Sequence, residues 1–341
     1  MKVLLVNAVP GRRQMPIFPL GLASLAAALD GHEVRVLDPA VLPRPLDEVE
    51  RTARSFAPDV IGLSLRNIDP ARSYDHFQYL RGCAQTLAAA RAGAPRALTV
   101  VGGAGYSLFP EAVLEYLDTV DAGVAGEGEI SLRRLLDHLD GPRGIPGLVL
   151  RGADGRWTLT GPPAEEDLDR LPLPDRDCVD LAPYRGATEL QVGVESHRGC
   201  AVRCTYCSYP LISGCRIRLR SVDRVLEDVE NLVRRGVTRF FFTDPSFNAV
   251  PDHVLAICEA LAGSGLRVTW SAYFGERQVT AELVRACAGA GCVSFIFGPD
   301  SGSDPILERL RKGVTRRQIV EAYETVRREA PRASFKSAFL L

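Results

Sequence analysis

The chain has 341 residues, 46% of them hydrophobic, enough to bury more than one core, and its length points to about two domains. Its 41 Lys and Arg nearly balance its 42 Asp and Glu, so composition offers nothing for nucleic acid or an anionic membrane surface. The apolar run Met1–Val6 is too short for a signal peptide, no stretch approaches the ~20 apolar residues that cross a bilayer, and nine cysteines without a secretion signal imply a reducing cytoplasm.

Along the first half, Val3–Val6 predicts a strand followed by a loop carrying Pro10, Gly11, Pro16 and Pro19. A helix follows from about Leu20 to Leu29, then a strand at Glu33–Leu37, a helix at Leu46–Phe56 and a strand at Val60–Leu65. The pattern continues with a helix around Phe77–Arg91, a strand at Ala97–Val101, a helix at Val113–Leu117, a strand at Ala122–Val124 and a helix at Ile130–Leu139. Strands alternating with helices at this spacing imply a parallel, doubly wound α/β sheet, with ligands at the carboxyl ends of its strands. The G-x-G-x-x-G run of a dinucleotide site is missing after the first strand.

Residues 1–140 thus form a first domain, and 141–188 read as a hairpin with an Asp154-Gly155 turn plus an extended linker rich in Pro and Gly. Residues 189–341 form a second domain. There, strands at Gln191–Val194, Arg239–Thr243, Arg267–Ala272, Val293–Phe297 and Phe335–Leu341 alternate with helices, one marked by Val222, Val225, Leu226, Val229, Leu232 and Val233 at helical spacing. The last strand breaks off at the end of the chain, so a truncated C-terminus is expected.

The chemistry concentrates in Cys200, Cys204 and Cys207, a C-x3-C-x2-C run in a polar loop with Arg198, Gly199, Arg203 and Thr205. Three thiolates so close together suit three irons of a [4Fe–4S] cube, leaving the fourth iron open. A zinc site needs four closed ligands, which Cys215 would have to complete. An odd cysteine count disfavours a disulfide framework. Cys83, Cys258, Cys287 and Cys292 lie among apolar residues and read as packing thiols.

The run with Tyr206 before its last cysteine resembles the signature of the radical S-adenosylmethionine (SAM) superfamily, in which SAM chelates the open iron and one electron cleaves it to a 5′-deoxyadenosyl radical. The βα series after it is similar to that superfamily's partial (βα)6 barrel, whose site lies at the carboxyl ends of the strands. The resemblance implies SAM contacts at Asp244, Tyr273, Asp300 and Ser301, with Asp244 accepting from the SAM ammonium. An N-cap or turn role is the alternative for these acids, and Asp300 is shorter than the Glu that relatives carry. Arg216, Arg218 and Arg220 alternate along an extended segment, more in keeping with a solvated face than an anion grip.

The first half resembles the cobalamin-binding domain that precedes the barrel in one subfamily. That implies corrinoid contacts at Pro19, Gly21, Ser64, Leu65, Arg66, Asn67, Gly102, Gly103, Gly105, Gly126 and Glu127, the glycines letting backbone approach a flat ligand. The D-x-H-x-x-G stretch of many cobalamin proteins is absent, and His32, His76 and His138 lack its context. Arg66 is then the residue expected beside cobalt, acting catalytically because a guanidinium has no lone pair to donate; pairing with Asp69, or with a corrin amide or phosphate, is the alternative.

Taken together the chain resembles cobalamin-dependent radical SAM methyltransferases, similar to the tryptophan 2-C-methyltransferase type. The implied cofactors are a [4Fe–4S] cluster, SAM and methylcobalamin. The implied partners are a small-molecule substrate and an electron donor such as flavodoxin or ferredoxin, with no nucleic acid and no membrane. The alternatives are cyclisation, ring contraction or polar methyl transfer with the same cofactors, and a non-catalytic cobalamin- or zinc-binding module.

Overall fold

Alternation in the first strand, β1 (Lys2–Asn7), sends Val3 and Leu5 into one apolar layer and Leu4 and Val6 into another. A strand can be apolar on both sides only where helices cover both faces of its sheet. The computed structural model describes residues 1–8, 15–68, 79–186 and 188–340, and these divide into two compact units. The first is Met1–Glu166 with Arg170–Pro183, and the second Asp167–Asp169 with Tyr184–Leu341.

In the first unit β1 is followed by α1 (Leu20–Ala28), β2 (Glu33–Leu37), α2 (Pro45–Phe56), β3 (Val60–Ser64), α3 (Tyr79–Gly93) and β4 (Leu98–Gly102). Then come α4 (Ala104–Leu108), α5 (Pro110–Leu117), β5 (Ala122–Val124), α6 (Gly128–Asp137), β6 (Leu148–Arg151) and β7 (Trp157–Leu159). The sheet order is β2-β1-β3-β4-β5-β6-β7. The first five strands are parallel, and β6 and β7 add an antiparallel hairpin. Order 2-1-3-4-5 puts the topological switch point between β1 and β3.

One layer packs Leu4, Val6, Ile61 and Leu63 under Val49 and Phe56 of α2 and Cys83 and Leu87 of α3. The other packs Val3, Leu5 and Val60 under Leu22 of α1 and Leu132 and Leu135 of α6. Each large buried side chain contributes about 1.5–3 kcal/mol. The hairpin and the 170–183 stretch belong to this unit: buried Arg176 lies 5.3 Å from the Phe18 ring, and Asp175 N–H donates to Ala23 O at 3.0 Å.

The second unit begins with β8 (Gly193–Val194), shorter than expected because Glu189–Gln191 form a 3-10 turn. Next are β9 (His197–Arg198), α7 (Tyr209–Ser213), β10 (Arg218–Leu219), α8 (Val222–Arg234), β11 (Arg239–Phe242) and α9 (Pro251–Gly263). β12 (Thr269–Phe274), α10 (Ala281–Gly289), β13 (Cys292–Asp300), α11 (Asp304–Arg309), α12 (Arg316–Glu329) and β14 (Ser334–Phe339) complete it. Among the described residues five strands pair in parallel in the order β8-β11-β12-β13-β14, the sequential winding of a βα barrel. Phe242, Phe247, Trp270, Phe274 and Phe295 form a chain of ring contacts through its core. Cys83, Cys258, Cys287 and Cys292 are all buried, and burial pushes the Cys83 thiol up to about 12, as inert packing thiols require.

Candidate active site

The cysteine loop is anchored from below. Asp244, just past the end of β11, accepts from Ser196 N–H at 2.9 Å, His197 N–H at 3.0 Å and Ser196 Oγ at 2.7 Å. Burial pushes its carboxyl above the usual range, with His197 and the Ser196 hydroxyl opposing. Gly199 then turns the chain at φ +90°, where an added Cβ would fall 2.0 Å from Arg216 O across the β9–β10 ribbon. The loop closes with Cys200 N–H to Gly214 O at 3.2 Å and Thr205 N–H to Leu310 O at 3.0 Å.

These constraints bring Cys200, Cys204 and Cys207 to one cleft of about 1210 Å³. Tyr206 lines the same cleft, and so does Tyr273 at the carboxyl end of β12. Burial raises the Cys200 and Cys204 thiols from their ordinary value, while Lys312 acts in the opposite direction on both. A zinc ion would need its thiolates gathered ~2.3 Å from one point. Among the described residues no three Cys, His, Asp or Glu side chains are grouped to hold one metal ion. Three cysteines spread around a roomy cleft suit a cube, whose three irons each take one thiolate. Cys215, the fourth ligand a zinc reading needs, is exposed and outside the cleft lining.

Several expected contacts are placed differently. Asp244 does not line the cleft; its carboxylate accepts from Ser196 and His197 and so anchors the cysteine loop. Asp300 and Ser301 also lie outside the lining. The buried Asp300 carboxylate accepts from Tyr206 Oη and pairs with Lys312 Nζ at 2.6 Å, and Ser301 Oγ accepts from Ser303 N–H at 3.2 Å. Arg218 and Arg220 are buried rather than solvated. Glu195 holds the cluster of charge together, 2.8 Å from Arg198 and 3.8 Å from Arg220, because a buried guanidinium needs a counter-charge.

Two cleft residues escaped the sequence reading. Glu276, two residues past β12, is 5% exposed, and its Oε1 has no hydrogen-bond partner among the described residues. Burial raises its carboxyl from the usual range, with Lys312 opposing. Lys312 reaches the cleft from the turn after α11. The signal available for Glu276 was its position just beyond a strand's carboxyl end, where barrel sites form.

In the first unit a shallow cleft lies at the switch point, lined by Asn7 at the end of β1 and Ala8 after it, Asp38 after β2, and Leu65, Arg66 and Asn67 after β3. Arg66 offers surface to solvent, yet the protein around it lowers its guanidinium from the ordinary value, Asp38 and Tyr79 opposing; accessible surface keeps the group charged. Among the described residues no histidine lines this cleft, while His76 and Asp69 lie outside the described residues. Ser64 ends β3 beside it, without lining it.

The remaining loops sit at the same end of the sheet but outside that lining. Pro19 is the N-cap of α1, and Gly21 lies in its first turn with open space around it. Gly126 (φ +75°) donates its N–H to Ser107 Oγ at 2.8 Å, and Glu127 is the N-cap of α6. The glycines after β4 serve chain-to-chain approach. An added Cβ would lie 3.2 Å from Val124 O at Gly102, 2.7 Å from Leu65 O at Gly103, and 2.6 Å from the Asn67 carbonyl carbon at Gly105. That packing alone leaves little room for a side chain at Gly103 and Gly105, and it fixes the loop carrying Arg66.

A switch-point cleft on a doubly wound sheet, followed by a βα barrel with three cysteines on its cleft, defines a two-cofactor protein. Residues 7–136 match the B12 binding domain and residues 194–337 the radical SAM superfamily. The chain belongs to the family of radical SAM enzymes with a cobalamin-binding domain, whose cofactors are cobalamin, SAM and a [4Fe–4S] cluster. It is 28% identical over 316 residues to the uncharacterized methyltransferase PH0819 of Pyrococcus horikoshii, covering 91% of this chain and 66% of that protein. It is 27% identical over 370 residues to the cytidylyl-2-hydroxyethylphosphonate methyltransferase of Streptomyces wedmorensis, covering 91% of this chain and 67% of that protein. The solved structure of the radical SAM methyltransferase TsrM from Kitasatospora setae, with tryptophan and a SAM analog bound, superposes with a TM-score of 0.85 at 25% identity, covering 99% of this chain and 67% of that one. No helix among the described residues is long and apolar enough to cross a membrane.

Proposed function

We propose that the chain is the cofactor-binding part of a cytoplasmic methyltransferase that carries a methyl group from SAM, through methylcobalamin, to a carbon of a small molecule. The observation that carries this reading is the pair of cofactor clefts in one chain: Arg66 and Asn67 at the switch point, and Cys200, Cys204 and Cys207 on the barrel cleft. Relatives named as methyltransferases support it. When bound, the cluster supplies one-electron chemistry and the corrinoid a transferable methyl group.

The chain's own residues bind, orient and exclude water. Cys200, Cys204 and Cys207 would ligate three irons, and Tyr273 would close one wall of the cleft. Glu276 takes the place expected for Asp244: a buried carboxylate with an unpartnered oxygen suits the SAM ammonium, a charge-assisted contact. The strand-end loops with Pro19, Gly21, Gly102, Gly103, Gly105, Gly126 and Glu127 would flank the corrinoid and its nucleotide tail. A flavodoxin or ferredoxin would supply electrons.

A second reading, polar methyl transfer without a substrate radical, is favoured by Arg66, which lines the switch-point cleft and has no lone pair for cobalt. Arg66 would sit beside the corrinoid without ligating it, a setting in which the bound corrinoid would supply its methyl group as a cation. Anaerobic reconstitution with iron, sulfide, hydroxocobalamin and SAM tests both readings. Uptake of an iron–sulfur chromophore and of cobalamin is expected, and tightly held colourless zinc in place of iron overturns them. Product analysis separates the routes, since the radical route forms 5′-deoxyadenosine with each methylated product and the polar route does not.

A further inference from the structure

The charged groups around the cysteine loop converge on one point. Lys312 Nζ lies 2.6 Å from Asp300 Oδ2 and 3.3 Å from Tyr206 Oη, 6.0 Å from the centre of the Tyr206 ring, and Tyr206 Oη donates to Asp300. Tyr206 stands between Cys204 and Cys207, while Asp300 ends β13 and Lys312 follows α11. The backbone makes the same connection a second time, with Thr205 N–H on Leu310 O at 3.0 Å.

The strand is shaped for this contact. The β13–β14 register shifts between Phe297 and Asp300, and Asp300 takes a left-handed backbone, φ +64°. A non-glycine residue holds that strained conformation only where the surrounding contacts offset it.

We propose that Lys312, Asp300 and Tyr206 form a latch that fixes the cysteine loop to the end of β13 and keeps a cation beside the cluster, making Lys312 a positioning residue that raises the cluster's reduction potential. The inference rests on the reading that Cys200, Cys204 and Cys207 hold a cluster. A reduced cluster carries one more negative charge than an oxidised one, and cluster potentials respond to nearby charge and hydrogen bonds. Lys312 lines the cleft together with Cys200, Cys204 and Cys207, whereas Asp300 lies outside the lining, so the cation is the nearer of the two charges to the cluster.

The test uses the full chain, reconstituted anaerobically with iron and sulfide, read by iron content, EPR of the reduced cluster and a dye-mediated redox titration. Lys312→Met is expected to lower the potential, because it removes the cation and leaves the buried Asp300 carboxylate without its counter-charge. Lys312→Arg should restore most of the loss, and the double variant Lys312→Met/Asp300→Asn should recover part of it by removing both charges. Wild-type potential and EPR line shape in Lys312→Met overturn the proposal, as does a loss in that variant that neither companion relieves. If Lys312→Met fails to fold, Tyr206→Phe carries the test by removing one hydroxyl. A changed EPR signal then supports the latch, and an unchanged one overturns it. Absence of iron from the wild-type chain overturns the cluster reading itself and is distinguished by the metal analysis.

Discussion

Ser196 and Asp244 are bound to each other twice, through Ser196 N–H to Oδ1 at 2.9 Å and Ser196 Oγ to Oδ2 at 2.7 Å, across 48 residues of sequence. Asp244 is 1% exposed, so removing its acceptors leaves two backbone donors, those of Ser196 and His197, buried and unpaired. Each orphaned donor costs about 1–3 kcal/mol. Asp244→Ala is therefore expected to destabilise the chain by about 2–5 kcal/mol and to reduce iron loading, measured by chemical denaturation and by iron analysis. Stability within about 0.5 kcal/mol of wild type, the size of an ordinary surface change, would count against the buttress.

Glu276 ties stability to pH. Its folded-state carboxyl is raised, so its contribution is fully present below the unfolded value and is lost as pH rises through the folded one. Glu276→Gln, which cannot ionise, should flatten that part of the stability–pH curve and be more stable than wild type at neutral pH. It should also weaken SAM binding by about ten-fold or more, the size of a lost charge-assisted hydrogen bond. Denaturation across pH and equilibrium SAM binding check the two halves separately.

Two glycines in the loops proposed to flank the corrinoid should respond in opposite ways. At Gly103 a side chain meets φ +102° and Leu65 O at 2.7 Å, so Gly103→Ala is expected to destabilise by roughly 1–3 kcal/mol. At Gly21 there is open space within a helix, so Gly21→Ala should stabilise by up to about 1 kcal/mol. Weakened cobalamin binding by a stabilised Gly21→Ala chain would place that residue against the ligand.

Arg66 is testable by spectroscopy. In the cobalamin-loaded chain, Arg66→Ala should change the EPR spectrum of the Co(II) form, and Arg66→Lys should change it less because the charge is kept. Identical spectra for all three would place Arg66 away from the metal. Nitrogen splitting from a protein imidazole would rule out the reading of a lower face without histidine.

How much of this was legible in the sequence depended on separation along the chain. Cys200, Cys204 and Cys207 fall within eight residues, so their pattern could be read directly, and the strand–helix alternation exposed the doubly wound sheet and the barrel. Asp244 was singled out, but its anchoring contact was not legible, because sequence does not reveal that its partner is Ser196 in a neighbouring strand end. Glu276 and Lys312 were missed because they meet the cysteines only when separate strand ends converge. Arg218 and Arg220 looked like a solvated stripe, since Glu195, the carboxylate beside Arg220, precedes the cysteine run.

The double-sided burial of β1 has a consequence for variation in this chain. Val3 and Leu5 serve one layer, Leu4 and Val6 the other, and both neighbours pair with β1 in parallel. Deleting a single residue inside the strand would exchange the two sets at once, pressing each side chain into a space shaped for another. Natural homologues should therefore tolerate substitutions here but no insertions or deletions, with length changes confined to the loops beyond the strand.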